Sequence, residues 1–400
     1  MKICNIVWVV LLTIVTISCQ GGKTIGEADE GDTLQMKYAQ LLTLVKHADG
    51  AYVEAIVANP WKLGTVLHRY ILAPKGEEGD KVVASLHLSG AVDVVRTPVT
   101  STIVFTAPHC QLLYELGCKD AIAGVCDKDY INIPDVRNRV EQGCGSKVRK
   151  TMGSIMDCGS SMQPDIERII ALKPQALFIS PFENSGGYGK LDKLHIPIIE
   201  TADYMETSPL GRAEWMKFYG MLFAAANTAS CGEKADSLFA AVERNYLQLK
   251  AEAAKLSKGL SVLTERKMGS VWYVPGGKST IGMLLRDANA HYIFADDSHS
   301  GSLSLSPEQI VAKGDKVDVW AFKYFGGKEL SRSDLLQEYK GYEALAAFRS
   351  ANIYEADTST QPYFELTTFH PEVLLREFII LSHPAASHLG QLRFYHKIKR

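Results

Sequence analysis

The stretch TSTIVFTAPHCQLLYELGCKDAIAGVC, residues 100–126, carries the pattern that decides the fold. TSTIVFTA has the composition of a strand, PHCQLLYELG has helical spacing and closes at Gly117, and AIAGVC is a second apolar strand. A strand, a helix and a strand at this spacing predict a βαβ unit with a parallel sheet. The stretch therefore indicates an α/β fold.

The same alternation continues to residue 207 and restarts after residue 258. Further predicted strands are ALFISPF, IPIIETA, SVWYVP, VDVWAFKYF and NIYEAD, and further predicted helices are PDIERIIALKP, YGKLDKLH, IGMLLRDANA and HPEVLLREFIILSHP. Four hundred residues exceed one ordinary core, so about two domains are expected. We predict two βα lobes, residues 97–207 and 259–400, with a ligand cleft between them.

A long helical segment, residues 208–258, is predicted to join the lobes. It opens with Ser208 as N-cap and Pro209 in the first helical position. Its apolar residues recur at three- and four-residue steps, namely Leu238, Val242, Tyr246, Leu249, Ala253 and Leu256. Such a stripe is typical of a helix face that packs on a core.

Residues 34–96 have a different, β-like pattern and form a predicted N-terminal extension of β-hairpins. Its strands are expected at LLTLVKH, AYVEAIVA, HRYILAP and KVVASLHL, with a turn at KGEEGD. The extension could cover the neighbouring lobe, contact a partner lipoprotein or space the protein from a membrane.

The N-terminus has the pattern of an export signal, because one Lys precedes an apolar run that is too short for a membrane span. The end of the run, Thr16 to Cys19, resembles the lipobox of bacterial lipoproteins. We predict a signal peptide at residues 1–19, lipidation of Cys19 and a flexible tether at residues 20–33. The protein is then exported and membrane-anchored, at the periplasmic face or the cell surface. An ordinary cleaved signal with an unmodified Cys is the alternative.

Composition excludes several classes of protein. The net charge is −2 and no Lys/Arg run occurs beyond the C-terminal HKIKR, so nucleic acid is not an expected partner. Six cysteines follow Cys19 without a C-x-x-C pair, which argues against zinc ribbons and thioredoxin-like sites. We expect most of them to be small buried residues, and their pairing does not follow from sequence. They are Cys110, Cys118, Cys126, Cys144, Cys158 and Cys231.

Sequence motifs for catalysis are absent: neither G-x-S-x-G nor H-E-x-x-H occurs. VWYVPGGKSTIG, residues 271–282, ends like a P-loop, but Trp272 replaces the first glycine, where the chain must wrap a phosphate. Gly276 and Gly277 instead form a turn, either one that admits a ligand or a plain strand-to-helix turn.

Two alternatives remain open at this point. A zinc or manganese site would need histidines such as His109, His195, His291 and His370 to converge. An enzyme that reuses the two-lobed frame would need an acid–base pair, for which Asp127, Asp129 and Asp157 are the loose candidates.

The starts of two predicted helices give more specific information about function. SPEQ has the capping box S-x-x-Q at Ser306, and PDIE places Asp165 and Glu167 in a first helical turn. Together, PDIERIIALKPQALFIS and SPEQIVAKGDKVDVW resemble segments of the two lobes of ABC-transporter substrate-binding proteins of the vitamin B12 and ferric-siderophore class. Further segments in the family's order, such as DYMETSPLGRAEWMKFYGMLF, extend the resemblance over about residues 97–384.

The resemblance implies a binding protein without catalysis or cofactor, expected as a monomer, that delivers a metal complex to an ABC permease and its ATPase. Glu167 and Glu308 fall on the positions that dock onto the permease. The implied ligand is a ferric siderophore or cobalamin, with haem as an alternative, and His109 or a cleft tyrosine as its axial ligand. The scarcity of basic residues among the cleft candidates argues against a highly anionic complex.

Ligands in open α/β sheets bind outside the carboxyl ends of the strands. The predicted ligand-binding residues follow from this rule, and many are aromatic, which suits a flat or apolar metal complex. They are Pro108, His109, Asp127, Tyr130, Met156, Asp157, Phe182, Tyr204, Tyr273, Gly276, Gly277, Tyr324, Phe325, Tyr363 and Phe364.

Overall fold

The computed structural model describes residues 31–47, 50–88, 92–143, 153–183, 187–224 and 231–399. The predicted signal peptide, Cys19, nearly all of the predicted tether and Cys144 lie outside these residues. Among the described helices, none is both long and apolar enough to cross a membrane.

Five strands form an N-terminal sheet in the order β1-β2-β3-β4-β5. They are β1 (Asp32–Leu34), β2 (Leu42–His47), β3 (Tyr52–Ala58), β4 (Val66–Pro74) and β5 (Val92–Thr97). The first four strands pair as antiparallel hairpins, as predicted. The prediction of a strand at KVVASLHL is wrong, because α1 (Glu77–Ser85) occupies most of it and connects β4 to a parallel β5. Acidic residues in the first turn of α1 complement its helix dipole.

The N-terminal lobe contains a five-stranded sheet in the order β12-β11-β6-β7-β8, and every pair is parallel, as predicted. Its strands and the small hairpin β9–β10 are β6 (Thr102–Val104), β7 (Ile122–Val125), β8 (Met156–Asp157), β9 (Gly159–Ser160), β10 (Gln163–Pro164), β11 (Ala176–Ile179) and β12 (Ile198–Glu200). Its helices are α2 (Ala107–Glu115), α3 (Pro134–Gly143) and α4 (Ile166–Leu172). The helix predicted at YGKLDKLH is only a 3₁₀ turn, Leu191–Leu194.

The segment between the lobes is helical, as predicted, and consists of α5 (Pro209–Glu214), α6 (Met216–Phe223) and α7 (Cys231–Ala253). Ser208 caps α5 by accepting a hydrogen bond from the N–H of Gly211. Val242, Tyr246 and Ala253 of the predicted stripe are buried. A disulfide between Cys118 and Cys231 ties α7 to the N-terminal lobe, and the other cysteines of the described residues, Cys110, Cys126 and Cys158, are buried thiols.

The C-terminal lobe contains a four-stranded sheet, β13-β17-β18-β19, in which only β19 is antiparallel to its neighbour, and a separate antiparallel sheet, β14-β15-β16. The strands are β13 (Val262–Thr264), β14 (Lys267–Met268), β15 (Val271–Pro275), β16 (Ser302–Leu305), β17 (Val319–Tyr324), β18 (Ile353–Asp357) and β19 (His396–Lys397). The helices are α8 (Thr280–Asp287), α9 (Pro307–Val311), α10 (Arg332–Glu338), α11 (Ala346–Arg349), α12 (Tyr363–Thr367) and α13 (Pro371–Ser382).

The predicted strand SVWYVP forms, but it is not the first strand of this lobe's parallel sheet. That strand is β13, whereas VWYVP is β15, the centre of the antiparallel sheet. Trp272 and Val274 are buried and Tyr273 between them is exposed, which is the alternation of a sheet with one solvated face.

One hydrophobic core runs through the N-terminal sheet, both lobes and the helical segment. Its members include Tyr70 of β4, Phe178 of β11, Tyr246 of α7 and Phe378 of α13. Because a large hinge closure would break this packing, the fold favours only small relative motion of the lobes.

Two buried carboxylates attach the N-terminal sheet to the helical segment. Glu214 is fully buried and accepts hydrogen bonds from the backbone N–H groups of residues 37–39 at 2.7 to 3.0 Å. Glu206 accepts from the N–H groups of residues 40–41 and from Nε1 of Trp215. The extension is thus bonded to the start of the helical segment and packs on the neighbouring lobe.

We expect Glu214→Ala to lower the free energy of unfolding by about 2 kcal/mol, because part-buried N–H groups would lose their acceptor. Glu243→Ala is the matched control, since Glu243 bonds the side chains of Lys37 and Tyr38 from a more exposed position. Its expected cost is under about 1 kcal/mol. Urea unfolding of both variants measures the difference, and equal costs would contradict the special role of Glu214.

Candidate functional site

A groove of about 510 Å³ lies between the end of β12, the helix α5 and the antiparallel sheet of the C-terminal lobe. Its volume falls in the range of small-molecule sites. Both lobes and the helical segment line it, whereas depressions beside Arg137 or Arg349 each belong to one lobe. The side chains that define its chemistry are Tyr204, Arg212, Glu265, Arg266, Tyr273 and Pro275.

Arg212 of α5 is held in the groove wall by a buried carboxylate. Asp203 is fully buried and accepts hydrogen bonds from Nε of Arg212 at 3.2 Å, from Nε2 of His109 at 3.0 Å and from the hydroxyl of Tyr219 at 2.8 Å. Burial alone would raise the pKa of Asp203, but these partners outweigh burial and lower it. Asp203 therefore stays ionised and fixes the direction of the Arg212 guanidinium.

Arg266, after β13, lines the groove from the C-terminal lobe. Its Nη1 lies 2.8 Å from Oε2 of Glu338, and its guanidinium stacks over the rings of Phe322 and Tyr324 at 5.8 and 5.7 Å. A guanidinium has five N–H donors, so one carboxylate contact leaves donors for a ligand. The groove thus presents two fixed arginines that suit anionic oxygen atoms.

Aromatic and apolar surfaces complete the groove. The hydroxyl of Tyr204 donates to the carbonyl of Pro181, and Tyr273 and Met268 are 45% and 72% exposed. Phe182, one residue after Pro181, is 54% exposed but is not one of the residues that line the groove. An aromatic face beside fixed guanidinium groups suits a bulky, partly apolar ligand that carries anionic oxygens.

The turn Gly276-Gly277 packs against its own chain. A Cβ on Gly276 would lie 2.3 Å from the carbonyl oxygen of His299, and one on Gly277 would lie 2.4 Å from that of Ala295. Ser279 then caps α8 by accepting from the N–H of Gly282. The backbone of the protein itself therefore requires both glycines, and their contact with a ligand stays a prediction.

Other predicted ligand residues lie away from the groove lining. His109, Met156, Tyr324 and Tyr363 are at most 7% exposed, and both ring nitrogens of His109 have partners within the protein. Pro108 lies in the first turn of α2, Asp127 accepts from the N–H of Ser161, and Asp157 pairs with Lys128.

Tyr130 and Phe325 meet at a second contact between the lobes, where their ring centroids lie 4.9 Å apart. Next to them, Asn132 donates to the carbonyls of Thr358 and Gln361 and to Glu365. Phe364, 46% exposed, belongs to the same helix as Glu365. This part of the predicted set joins the lobes on the side of β7 and β18.

The predicted docking glutamates both lie exposed in the first turn of a helix, Glu167 in α4 and Glu308 in α9. The capping box of Ser306 and Gln309 is present as predicted. Asp165 is not inside the first turn of α4 but is its N-cap, because its side chain accepts from the N–H of Arg168.

His370 forms an ion-pair bridge between the two lobes. Its Nε2 lies 2.9 Å from Glu115 of the N-terminal lobe and its Nδ1 lies 3.0 Å from Glu372. Burial lowers the pKa of His370, but the two carboxylates outweigh burial and raise it to about 10.

A raised pKa in the folded state gives stability that is complete below the unfolded value of 6.5 and is lost as the pH rises to about 10. We expect His370→Gln to destabilise the protein most at pH values below 6.5 and progressively less toward pH 10. Urea unfolding of both proteins across this range measures the difference. A difference that does not change with pH would show that His370 carries no extra charge in the folded state.

Within the part of the chain that the structure describes, no three His, Cys, Asp or Glu side chains form a group that could hold a metal ion. The four histidines considered for such a site do not converge there. His109 and His370 pair with Asp203 and with Glu115 and Glu372, respectively.

Sequence reasoning identified Tyr204 and Tyr273 but missed Asp203, Arg212, Glu265 and Arg266. Glu265 and Arg266 follow β13, so the carboxyl-end rule would have found them if this three-residue strand had been recognised. Arg212 lies on a helix, where that rule does not apply.

A family model described as periplasmic binding protein matches residues 103–360. An uncharacterized lipoprotein of Methanocaldococcus jannaschii is 22% identical over 385 residues, which are 92% of this chain and 87% of that protein. The ABC-type Fe3+-hydroxamate transport system of Saccharomonospora viridis aligns with a TM-score of 0.53 at 17% identity and covers 71% of this chain and 93% of that one. A periplasmic heme-binding protein of Roseiflexus aligns with a TM-score of 0.52 at 18% identity and covers 71% of this chain and 99% of that one. At these identities the solved structures show a shared fold.

Proposed function

Because the chain belongs to the periplasmic binding protein family, we propose that it captures an iron complex in the groove between its lobes and delivers the complex to an ABC permease. The observation that carries the proposal is the pair of fixed arginines, Arg212 and Arg266, that face one groove beside Tyr204 and Tyr273. No chemical step is required of such a receptor.

The arginines favour an iron complex that carries anionic groups, such as haem or a carboxylate or catecholate siderophore, over the electrically neutral cobalamins. Charge-assisted hydrogen bonds from guanidinium to carboxylate or other anionic oxygens are stronger than those between neutral groups. The names of two solved relatives state hydroxamate–iron and haem. Of these two ligand classes, haem carries anionic carboxylates, whereas a complex of Fe3+ with three hydroxamates has no net charge. A bare zinc or manganese ion is less well supported, since the described residues lack a suitable ligand group.

Delivery would use the outer ends of both lobes. Glu167 and Glu308 are exposed in equivalent first-turn positions, one in each lobe, and would pair with basic residues of the permease. Lipidation at Cys19 would keep the receptor at the membrane, in keeping with a relative that is named a lipoprotein. The shared core of the lobes would limit closure around the ligand to a small motion.

Fluorescence of the buried tryptophans tests the ligand class directly. The exported chain, which begins after the predicted signal peptide of residues 1–19, is titrated with a ferric hydroxamate, a ferric catecholate, haemin, cyanocobalamin and zinc sulfate. We expect saturable quenching by one iron complex at submicromolar concentration. Saturable quenching by cyanocobalamin alone would overturn the iron-complex proposal. Folded protein whose fluorescence is quenched by none of the five compounds would also overturn it.

A further inference from the structure

Exposed apolar side chains gather at one end of the N-terminal sheet, outside the residues that match the family model. Leu63 is 92% exposed and Val66 44%, and Trp61 is partly exposed. The loop between β3 and β4 carries Leu63, and β4 begins at Val66. We call Trp61, Leu63 and Val66 the tip patch.

The loop that presents the tip patch is fixed by its own hydrogen bonds. Oδ1 of Asn59 accepts from the N–H groups of Trp61 and Lys62 at 3.0 Å. The N–H of Asn59 donates to the carbonyl of Thr65, and Thr65 donates back to Lys62. Gly64 supplies a positive φ of 75° that closes the turn. The exposure of Leu63 is therefore a property of an ordered turn.

The loop that carries Trp61 and Leu63 is basic. Residues 59–65 contain Lys62 and no Asp or Glu. Beyond the loop the charges are paired, because Arg69 contacts Glu54 and His68 contacts Asp93. An apolar tip with a lysine between its apolar side chains is complementary to an anionic, apolar surface.

The tip patch lies beyond the carboxyl ends of the strands in the sheet of the N-terminal lobe. The groove lies on the same side of that sheet. His68, two residues after Val66, lies 3.7 Å from Glu200 at the last position of β12. Tyr70 bonds the carbonyl of Ile198 at the start of β12, so β4 runs toward the amino end of that strand. Tyr204 of the groove follows the same end of β12 as the tip patch.

We propose that the tip patch inserts into the interface of a lipid bilayer and orients the receptor on the membrane. The proposal rests on the membrane anchoring proposed above. Residues 20–31 span at most roughly 40 Å when extended, and they reach the sheet at Asp32, which its register with Lys46, Val53 and Leu72 places at the end opposite the tip patch. The tether and the tip patch would therefore hold the sheet to the surface at its two ends. Tryptophan and leucine beside lysine are the side chains that bilayer interfaces accept. The patch would add a second membrane contact to the lipid and hold the groove's side toward the bilayer.

The test uses the Cys19→Ser chain with a C-terminal histidine tag, held on phosphatidylethanolamine–phosphatidylglycerol vesicles by a nickel-chelating lipid, so that attachment does not depend on lipidation. Brominated lipid in the vesicles quenches tryptophans that enter the bilayer. The signal of Trp61 is the difference between this chain and its Trp61→Phe variant. We expect bromolipid to remove at least half of the Trp61 signal.

Leu63→Asp should abolish that quenching, whereas Leu247→Asp, which changes an exposed leucine on α7, should leave it intact. Unquenched Trp61 in lipid vesicles, or quenching that persists in Leu63→Asp, would overturn the proposal. If the Trp61 signal changes only in vesicles that also contain the permease, the tip patch docks on protein and the lipid assignment is wrong. Failure of ligand binding in the fluorescence titration would leave these outcomes unaffected.

Discussion

A chain with both Glu167→Ala and Glu308→Ala is expected to bind its iron complex with unchanged affinity and to support no import. Both side chains are exposed and neither lines the groove, so their removal leaves the ligand contacts in place. Each would pair with a cation of the permease, and losing both would remove the contacts that align the two proteins.

Uptake of radioactive iron complex, in cells that lack the native copy, measures import, and fluorescence titration measures affinity. Glu233→Ala with Glu343→Ala is the matched control, because it removes two exposed carboxylates elsewhere on the surface and should import normally. Normal import by the Glu167/Glu308 double variant would remove the docking role, and an equal loss of affinity would assign these residues to binding instead.

The second large effect concerns the arginines. Arg212→Ala and Arg266→Ala should each weaken binding of the iron complex by about 10- to 100-fold, which corresponds to one charged hydrogen-bonding group of roughly 1.5–3 kcal/mol. The double variant should lose more than either single one. Asp203→Asn should cost less than Arg212→Ala, because the guanidinium remains but loses its fixed direction.

Arg286→Ala is the control, since Arg286 lies in the last turn of α8 with an exposed side chain. Isothermal titration of each folded variant gives the affinity. Wild-type affinity in the Arg212/Arg266 double variant would show that the ligand binds elsewhere.

The sequence predicted the parts of the fold that repeat a long pattern. The alternation from TSTIVFTA to IPIIETA became the parallel sheet of the N-terminal lobe, and Ser208 and Ser306 cap the helices as expected. Short strands were not predicted, because a strand such as β13 has only three residues, too few to show the two-residue period of a β-strand. The helix α1 was missed for another reason. Its two adjacent valines favoured a strand prediction, but the connection from β4 to the parallel strand β5 requires a crossover, which α1 provides.

The residues of the candidate site could be predicted where they follow the end of a strand. They could not be predicted where their position depends on tertiary packing. Tyr204 follows from the carboxyl-end rule and lines the groove. Tyr273 also lines it, but from the middle of the antiparallel strand β15, where that rule does not apply. His109 also follows a strand, but its partners Asp203 and Tyr219 come from distant positions and draw it into the core. No local pattern reveals that Asp203 faces Arg212, since the contact depends on how α5 packs beside β12.

The most direct test of the account is the position of iron in a crystal. Crystals of the exported chain, grown with the iron complex that quenches its fluorescence, are measured at the iron absorption edge. One strong anomalous peak is expected in the groove lined by Arg212, Arg266, Tyr204 and Tyr273. An iron peak at any other site, such as the contact of Tyr130 with Phe325, would contradict it.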